Sequence, residues 1–428
     1  KKYQQSTQKE QIRMSLIEVM APAGSFDALS AALRAGANSI YFGVGKLNMR
    51  AGATANFNVE DLPKVARFCR KAKVKSYLTL NTILYNNEIA EIRLVCDAAK
   101  AAGIRAIIAT DFAVINYARS IKMPIHISVQ AGVCNLEAVR FYATYADAVV
   151  LARELSLKQI KNIITGIEQE KIVGPSGNLI KIEIFAHGAL CVAVSGKCGM
   201  SLATYNSSSV RGECFQNCRR RYKVTDYESG DELVIDNEFV MSPKDLCTIG
   251  VLDQIIASGI SILKLEGRGR SADYVSTVVS CYREAAEACA DGSFSQEKIT
   301  EWLERLEQVY NRGFWHGGYY LGENLNEWSA SGHSRASKRK IHVGRVTHYF
   351  PKLKVAELSV EAHDVKIGDE LLITGKTTGA VPFKVEEIRI EGQKQEVATK
   401  PVLASMAVPV KVRNNDQVYL LVERKFGE

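Results

Sequence analysis

Ile17-Glu18-Val19-Met20-Ala21-Pro22-Ala23-Gly24-Ser25 is the stretch that decides the fold. A short apolar run, Ile17–Met20, ends in the turn Ala-Pro-Ala-Gly24, and a helical pattern follows from Ser25 to Ala35. The turn has no G-x-G-x-x-G, so the dinucleotide loop that usually opens a doubly wound sheet is missing. The same unit then recurs. Further β-rich runs are Ser39–Phe42, Ser76–Leu80, Ala106–Ala109, Ile125–Val129, Ala148–Leu151, Lys181–Phe185 and Ile262–Leu265. Amphipathic helical patterns lie between them, among them Glu60–Lys73, Ile89–Ala102, Asp111–Ile121 and Leu136–Tyr145. Short apolar runs alternating with helices mean βαβ units and a parallel sheet. Eight of them predict an α/β fold, a TIM-type (β/α)8 barrel, with an open sheet as the alternative.

The barrel reading implies a site. Catalytic groups of such barrels sit at the carboxyl ends of the strands. The polar tips here are Asn81, Asp111, Gln130, Arg153, Glu154, His187, Lys264, Glu266 and Arg268, with Arg270 close behind. Glu154, His187 and Glu266 are the candidates for proton chemistry. Asn81, Gln130, Arg153, Arg268 and Arg270 are the candidates for binding a substrate. Guanidinium forks grip carboxylates at two points, so a small dicarboxylate suits this rim. The plainer alternative is an ion pair within the rim, for example Arg153 with Glu266.

Beyond the seventh run lies a cysteine-containing insertion, at about residues 188–238. Cys191, Cys198, Cys214 and Cys218 are spaced C-x6-C-x15-C-x3-C, four of the ten cysteines in the chain. Thiolates are soft ligands that suit zinc or an iron–sulfur cluster. Structural zinc usually takes pairs two to four residues apart, and the first pair here is wider, so a cluster ranks above zinc. His187 could pair with Cys191 as a nucleophile or stand as a donor over the barrel mouth. The other cysteines (Cys69, Cys96, Cys134, Cys247, Cys281 and Cys289) fall mostly on helical patterns and read as small buried hydrophobes. A polar hairpin-like piece, Val224–Glu238, and Phe239–Asp245 follow; the latter is a ninth strand or the one that completes the barrel.

Arg219, Arg220 and Arg221 come directly after Cys218, and Lys338, Arg339 and Lys340 end a second basic cluster. Clustered cations near aromatics bind phosphate backbones and unpaired bases, although a charge run is more often a solvated face. Amphipathic helical patterns follow at Ser271–Asp291, which is expected to close the barrel, and at Ser295–Tyr310. From Ile341 the pattern turns to period two with Gly turns, which predicts a small C-terminal β-barrel. The expected division is a flexible tail at 1–14, the barrel at 15–328, a basic linker at 329–340 and the β-domain at 341–428.

The 428 residues are 46% hydrophobic and 24% charged with a net charge of +8, ordinary for a globular protein and permissive of a polyanionic partner. No apolar run reaches the roughly 18 residues of a membrane span, and the polar start lacks the apolar core of a secretory signal. The expectation is a cytoplasmic protein without membrane contact. No H-E-x-x-H, G-x-S-x-G or papain-like cysteine motif supports peptide cleavage.

Several pieces together resemble the collagenase-like peptidase family U32: Glu183-Ile-Phe-Ala-His-Gly-Ala-Leu-Cys191, Ser195-Gly-Lys-Cys198, Arg211-Gly-Glu-Cys214-x3-Cys218-Arg219 and Leu265-Glu-Gly-Arg268. Met20-Ala-Pro-Ala-Gly-Ser25, Ser128-Val-Gln-Ala131 and Ala152-Arg-Glu-Leu155 match as well, and the resemblance runs from Ile17 to Val422. Within the family the layout looks most like the tRNA-hydroxylating members. The resemblance implies formation of 5-hydroxyuridine at the tRNA wobble position with prephenate as co-substrate. It implies a 4Fe-4S cluster on Cys191, Cys198, Cys214 and Cys218, and a paralogue or a second copy as a possible partner. Hydroxylation of a 23S rRNA cytidine, or the peptidase activity of the family label, are the alternatives it carries.

Overall fold

The computed structural model describes residues 17–52, 56–223, 225–230, 239, 241–323, 327–329 and 334–424. The tail at 1–14 and most of the hairpin-like piece at 224–238 fall outside them. Eight parallel strands close on themselves: β1 (Glu18–Ala23), β2 (Ser39–Gly43), β3 (Lys75–Leu80), β4 (Ala106–Ala109), β5 (Ile125–Ile127), β6 (Ala148–Val150), β7 (Lys181–Gly188) and β9 (Ile262–Leu265). Strand β9 pairs with both β1 (Glu18 opposite Ile262) and β7 (Glu183 opposite Ile262), which seals the barrel. The expected barrel is therefore the observed one. Strand β8 (Asp245–Cys247) does not complete it. It runs antiparallel to the last residues of β7 and carries β10 (Phe314–His316) on its other edge.

Helices α1 (Phe26–Arg34), α2 (Leu62–Lys71), α3 (Ile89–Ala102), α4 (Phe112–Ser120), α5 (Leu136–Ala143) and α6 (Leu157–Glu170) return the chain between strands. A short α7 (Met200–Tyr205) lies in the cysteine insertion, followed by α8 (Leu252–Ala257), the long α9 (Ala272–Asp291) and α10 (Gln296–Gln308). The helix starts follow local chemistry. The Ser25 hydroxyl accepts the Ala28 amide at 3.3 Å. Asp111 takes the Ala113 amide at 2.8 Å and the Leu84 amide at 3.1 Å, so this strand tip is a helix cap.

The main apolar core lies between the sheet and the helix layer. A smaller core fills the barrel axis, with Met20, Tyr41, Tyr77, Ile108 and Ile262. Ions share that axis: Lys264 Nζ donates to Glu183 at 2.6 Å, and His126 lies 3.4 Å from the same carboxylate. Five of the six scattered cysteines are buried as expected; Cys134 is exposed.

The C-terminal domain holds ten strands, β11 (Lys338–Phe350) to β20 (Gln417–Glu423). Eight form one antiparallel sheet and β13 (Val365–Lys366) and β18 (Val397–Ala398) form a ribbon, around a separate core that includes Val343, Leu358 and Val418. Lys338, Arg339 and Lys340, expected in a linker, open β11. The domain sits on the barrel through Ala31, Ala272, Leu372 and Ala380, and Lys340 reaches Asp273 of α9 at 2.7 Å.

Candidate active site at the barrel mouth

The insertion folds over the carboxyl end of the barrel and is fastened at several points. Arg219 donates to the carbonyl oxygens of Leu190 (2.6 Å) and Pro243 and to Ser242 Oγ (2.9 Å), tying the first half of the insertion to its return. Arg211 forks onto Glu88 at 2.9 and 2.6 Å, donates to the Ile83 carbonyl at 2.9 Å, and covers the Tyr85 ring at 4.0 Å. These bonds hold the insertion against the loop after β3. Gly212 has φ +87°, and a Cβ there would lie 2.2 Å from the Asn48 carbonyl, so the chain passes the β2 loop where only glycine fits.

Beneath this cover is a cavity. All four clustered cysteines line it, together with Asn81, Gln130, Arg153, Lys264, Glu266 and Arg268. The sequence-predicted thiols and most of the predicted rim thus share one space. Burial pushes the Cys218 thiol up, Arg219 pulls it down, and Cys191, Cys214 and Cys198 are near enough to push it up again. A neighbouring cavity shares Cys191, Cys214 and Cys218 and is walled by Arg50, Arg153, Arg219, Arg270 and Arg312.

Rim geometry differs from the expected Arg153–Glu266 pair. Glu266 instead receives the Nε and Nη2 protons of Arg50, at 3.0 and 2.8 Å. Its other oxygen accepts the Tyr41 hydroxyl at 2.9 Å. Burial pushes the carboxyl up, but Arg50 and Arg268 outweigh it and hold the group at about 2. A carboxylate that acidic is a poor proton acceptor near neutrality, so Glu266 positions its neighbours rather than acting as a base. Arg268 is buried, with Nη1 donating to Asn48 Oδ1 and Thr79 Oγ1, both at 2.9 Å. Its Nε is buried without a described partner. Arg153 lies over the Phe185 ring and donates to the Ala189 carbonyl at 3.3 Å. Asn81 donates to Ser128 Oγ at 3.1 Å.

His187 is not in the cavity. The β7–β9 register slips between Phe185 and His187, which turns His187 off the inward face that Glu183 and Phe185 occupy. Its ring packs among Tyr282, Phe314 and Tyr274, and burial pulls its pKa down to about 3. It can neither activate Cys191 nor meet a substrate there. Glu154 also stays outside the lining: one oxygen accepts the Ser195 amide at 3.4 Å and the other is buried with no described partner. Arg219 is structural rather than RNA-facing. Arg220 is exposed, bonded to the Tyr205 hydroxyl and 5.2 Å from that ring; Arg221 lies 5.8 Å from the Phe239 ring. Lys338 and Lys340 are paired with Glu370 and Asp273. Sequence reasoning missed Arg50, Tyr41 and Arg312, which lie in loops or mid-strand, away from any strand tip.

The donor set fits a thiolate-bound inorganic group. Cys198 Sγ accepts the Met200 amide at 3.4 Å, the kind of N–H···S bond that stabilises a thiolate ligand. Among the described residues no three His, Cys, Asp or Glu side chains converge as a single-ion site. All four thiols line the one cavity, a soft donor set of the kind that zinc or an iron–sulfur cluster would take.

A closed eight-stranded barrel whose mouth is capped by a four-thiol insertion, with a β-domain behind it, defines the class. The chain belongs to peptidase family U32, whose model matches residues 24–330. It is 50% identical over 408 residues to a Porphyromonas gingivalis protein named collagenase, covering 95% of this chain and 98% of that one. It is 32% identical over 395 residues to tRNA hydroxylation protein P1 of Bacillus subtilis, covering 90% of each. The 23S rRNA 5-hydroxycytidine C2501 synthase of Escherichia coli is 30% identical over 277 residues, 64% of this chain and 39% of that protein. Among the described residues no helix is long and apolar enough to cross a membrane.

Proposed function

We propose that this protein hydroxylates a pyrimidine base of RNA, with the tRNA wobble uridine as the leading substrate and a small dicarboxylate such as prephenate as the hydroxyl source. The observation that carries the reading is the shared cavity, in which four thiols face a rim of arginines. Cys191, Cys198, Cys214 and Cys218 would hold a 4Fe-4S cluster, which supplies redox or Lewis-acid chemistry when bound. The chain's own residues do the positioning. Arg268 keeps a buried, unused Nε–H for an anionic oxygen, and an unmet donor there favours a ligand that accepts from it. Arg50 and Arg268 stay charged beside Glu266, so the rim is fixed before a ligand arrives. Arg153 and Arg270 extend the positive wall toward the second cavity.

An RNA partner is supported by the relatives named for RNA hydroxylation and by the outer face of the insertion. Tyr205 and Phe215 lie there with centroids 4.9 Å apart and planes tilted by 43°, both exposed, beside Arg220. Such a pair offers a stacking surface to an unpaired base. A cytoplasmic setting goes with that substrate. The peptidase reading draws on the collagenase-named relative, but His187, four residues before Cys191, is sealed in an aromatic pocket. Mass spectrometry of RNA nucleosides from a strain lacking the gene tests the proposal. Loss of 5-hydroxyuridine derivatives supports it, loss of a ribosomal 5-hydroxycytidine redirects it, and an unchanged profile contradicts it.

A further inference from the structure

A second basic feature lies away from the mouth. An open groove runs between α1, α2 and the β-domain. Its charged lining is Arg34, Arg67, Lys71 and Arg413, and no carboxylate lines it. All four side chains are exposed. None of them makes a side-chain ion pair or hydrogen bond among the described residues. The buried carboxylate behind them, Asp416, accepts from the Thr378 hydroxyl and from the Arg413 amide at 2.8 Å; it is near enough to Arg413 and Arg34 to offset part of their charge, and leaves Arg67 and Lys71 unbalanced.

Position at a helix end accounts for part of the cluster. Arg34 and Lys71 occupy the last turns of α1 and α2, where a cation is favoured by the helix dipole. That leaves Arg67, in the middle of α2, and Arg413, which comes from the other domain. Four like charges gathered from three elements repel one another and weaken the domain contact unless something neutralises them. Ordinary surfaces mix both signs.

We infer that this groove binds the phosphate backbone of a folded RNA whose target nucleotide enters the thiol-lined cavity. The inference rests on the RNA reading above and adds a second contact to it. Helices α1 and α2 return from the mouth, so their last turns lie toward the other end of the barrel. A mononucleotide cannot touch both places, but a folded RNA can. The cavity would select the base, and the groove would recognise the RNA's shape and charge.

The test is equilibrium binding of two fluorescent RNAs, a whole tRNA transcript and its isolated anticodon stem–loop, to the full chain over a range of salt. Each neutralised phosphate contributes about 0.9 to the slope of log K against log salt, taking the duplex value. Arg67→Gln with Arg413→Gln removes two exposed charges and leaves the cores intact. For whole tRNA the slope should become shallower by nearly two; for the stem–loop it should not change. An unchanged slope for whole tRNA overturns the groove assignment, while wild-type binding of the stem–loop leaves the RNA reading standing. If the wild-type chain binds neither RNA, both fall. Poly-glutamate binding that depends on Arg67 and Arg413, without tRNA binding that does so, assigns the groove to an acidic polypeptide and overturns the proposal.

Discussion

Arg50 and Glu266 meet through two hydrogen bonds to one carboxylate oxygen, at 3.0 and 2.8 Å, between the loop after β2 and the end of β9. The Glu266 side chain is 12% exposed and that of Arg50 35%, so the pair braces the barrel mouth with its carboxylate end buried and its guanidinium end partly open to solvent.

Glu266→Gln should therefore be costly. It leaves Arg50 and the buried Arg268 close together without their counter-charge, at a cost of about 1–3 kcal/mol, less than for a fully buried pair because solvent screens the partly exposed Arg50. Thermal denaturation should show the loss at pH 7. The carboxyl is held at about 2 against an ordinary 4.5, so the unfolded chain takes up this proton first as pH falls. The stabilisation is present above pH 4.5 and disappears toward pH 2. Equal melting temperatures for wild type and Glu266→Gln at pH 7 would contradict the brace.

His187 gives a second pH signature. Its pKa is about 3 in the fold and 6.5 ordinarily, because burial disfavours the imidazolium. Between those values the unfolded chain binds the extra proton, so stability falls as pH drops from 6.5 toward 3. His187→Gln should flatten that part of the stability–pH curve. Its iron and sulfide content should match wild type. A variant that keeps its metal content but loses all RNA hydroxylation would reinstate His187 as a catalytic group.

Arg211 is expected to control the insertion and not the barrel. Arg211→Ala removes the fork on Glu88, the bond to the Ile83 carbonyl and the cover of Tyr85. Limited proteolysis should then cut within residues 190–220 at least severalfold faster, with the main melting transition shifted little. Equal cutting rates would mean that the Ile83–Val210 backbone bond and the thiols suffice to hold the cover.

The barrel was legible because its strands are apolar runs punctuated by polar tips, and each tip then starts a helix. The four cysteines were legible because their density exceeds what burial explains. Other parts needed coordinates. His187 lies in register with Glu183 and Phe185 in the sequence, and only the slip in β7 pairing turns it outward. Arg50 sits in a loop with no periodicity, so nothing local points it at Glu266. Asp111 looked like a rim carboxylate because a helix cap and a catalytic tip use the same residue type at the same place. Lys338–Lys340 looked like a linker because strand β11 begins in a basic, polar stretch.

Purified protein with iron and sulfide on its four thiols, incubated with RNA from a strain lacking the gene and a dicarboxylate hydroxyl donor, gives the most direct measurement. Nucleoside mass spectrometry should show one oxygen gained on a uridine with wild type and none with Cys191→Ala. No oxygen gain on any RNA nucleoside by the iron-loaded wild-type protein, with cleavage of denatured collagen by the same sample, would contradict the account.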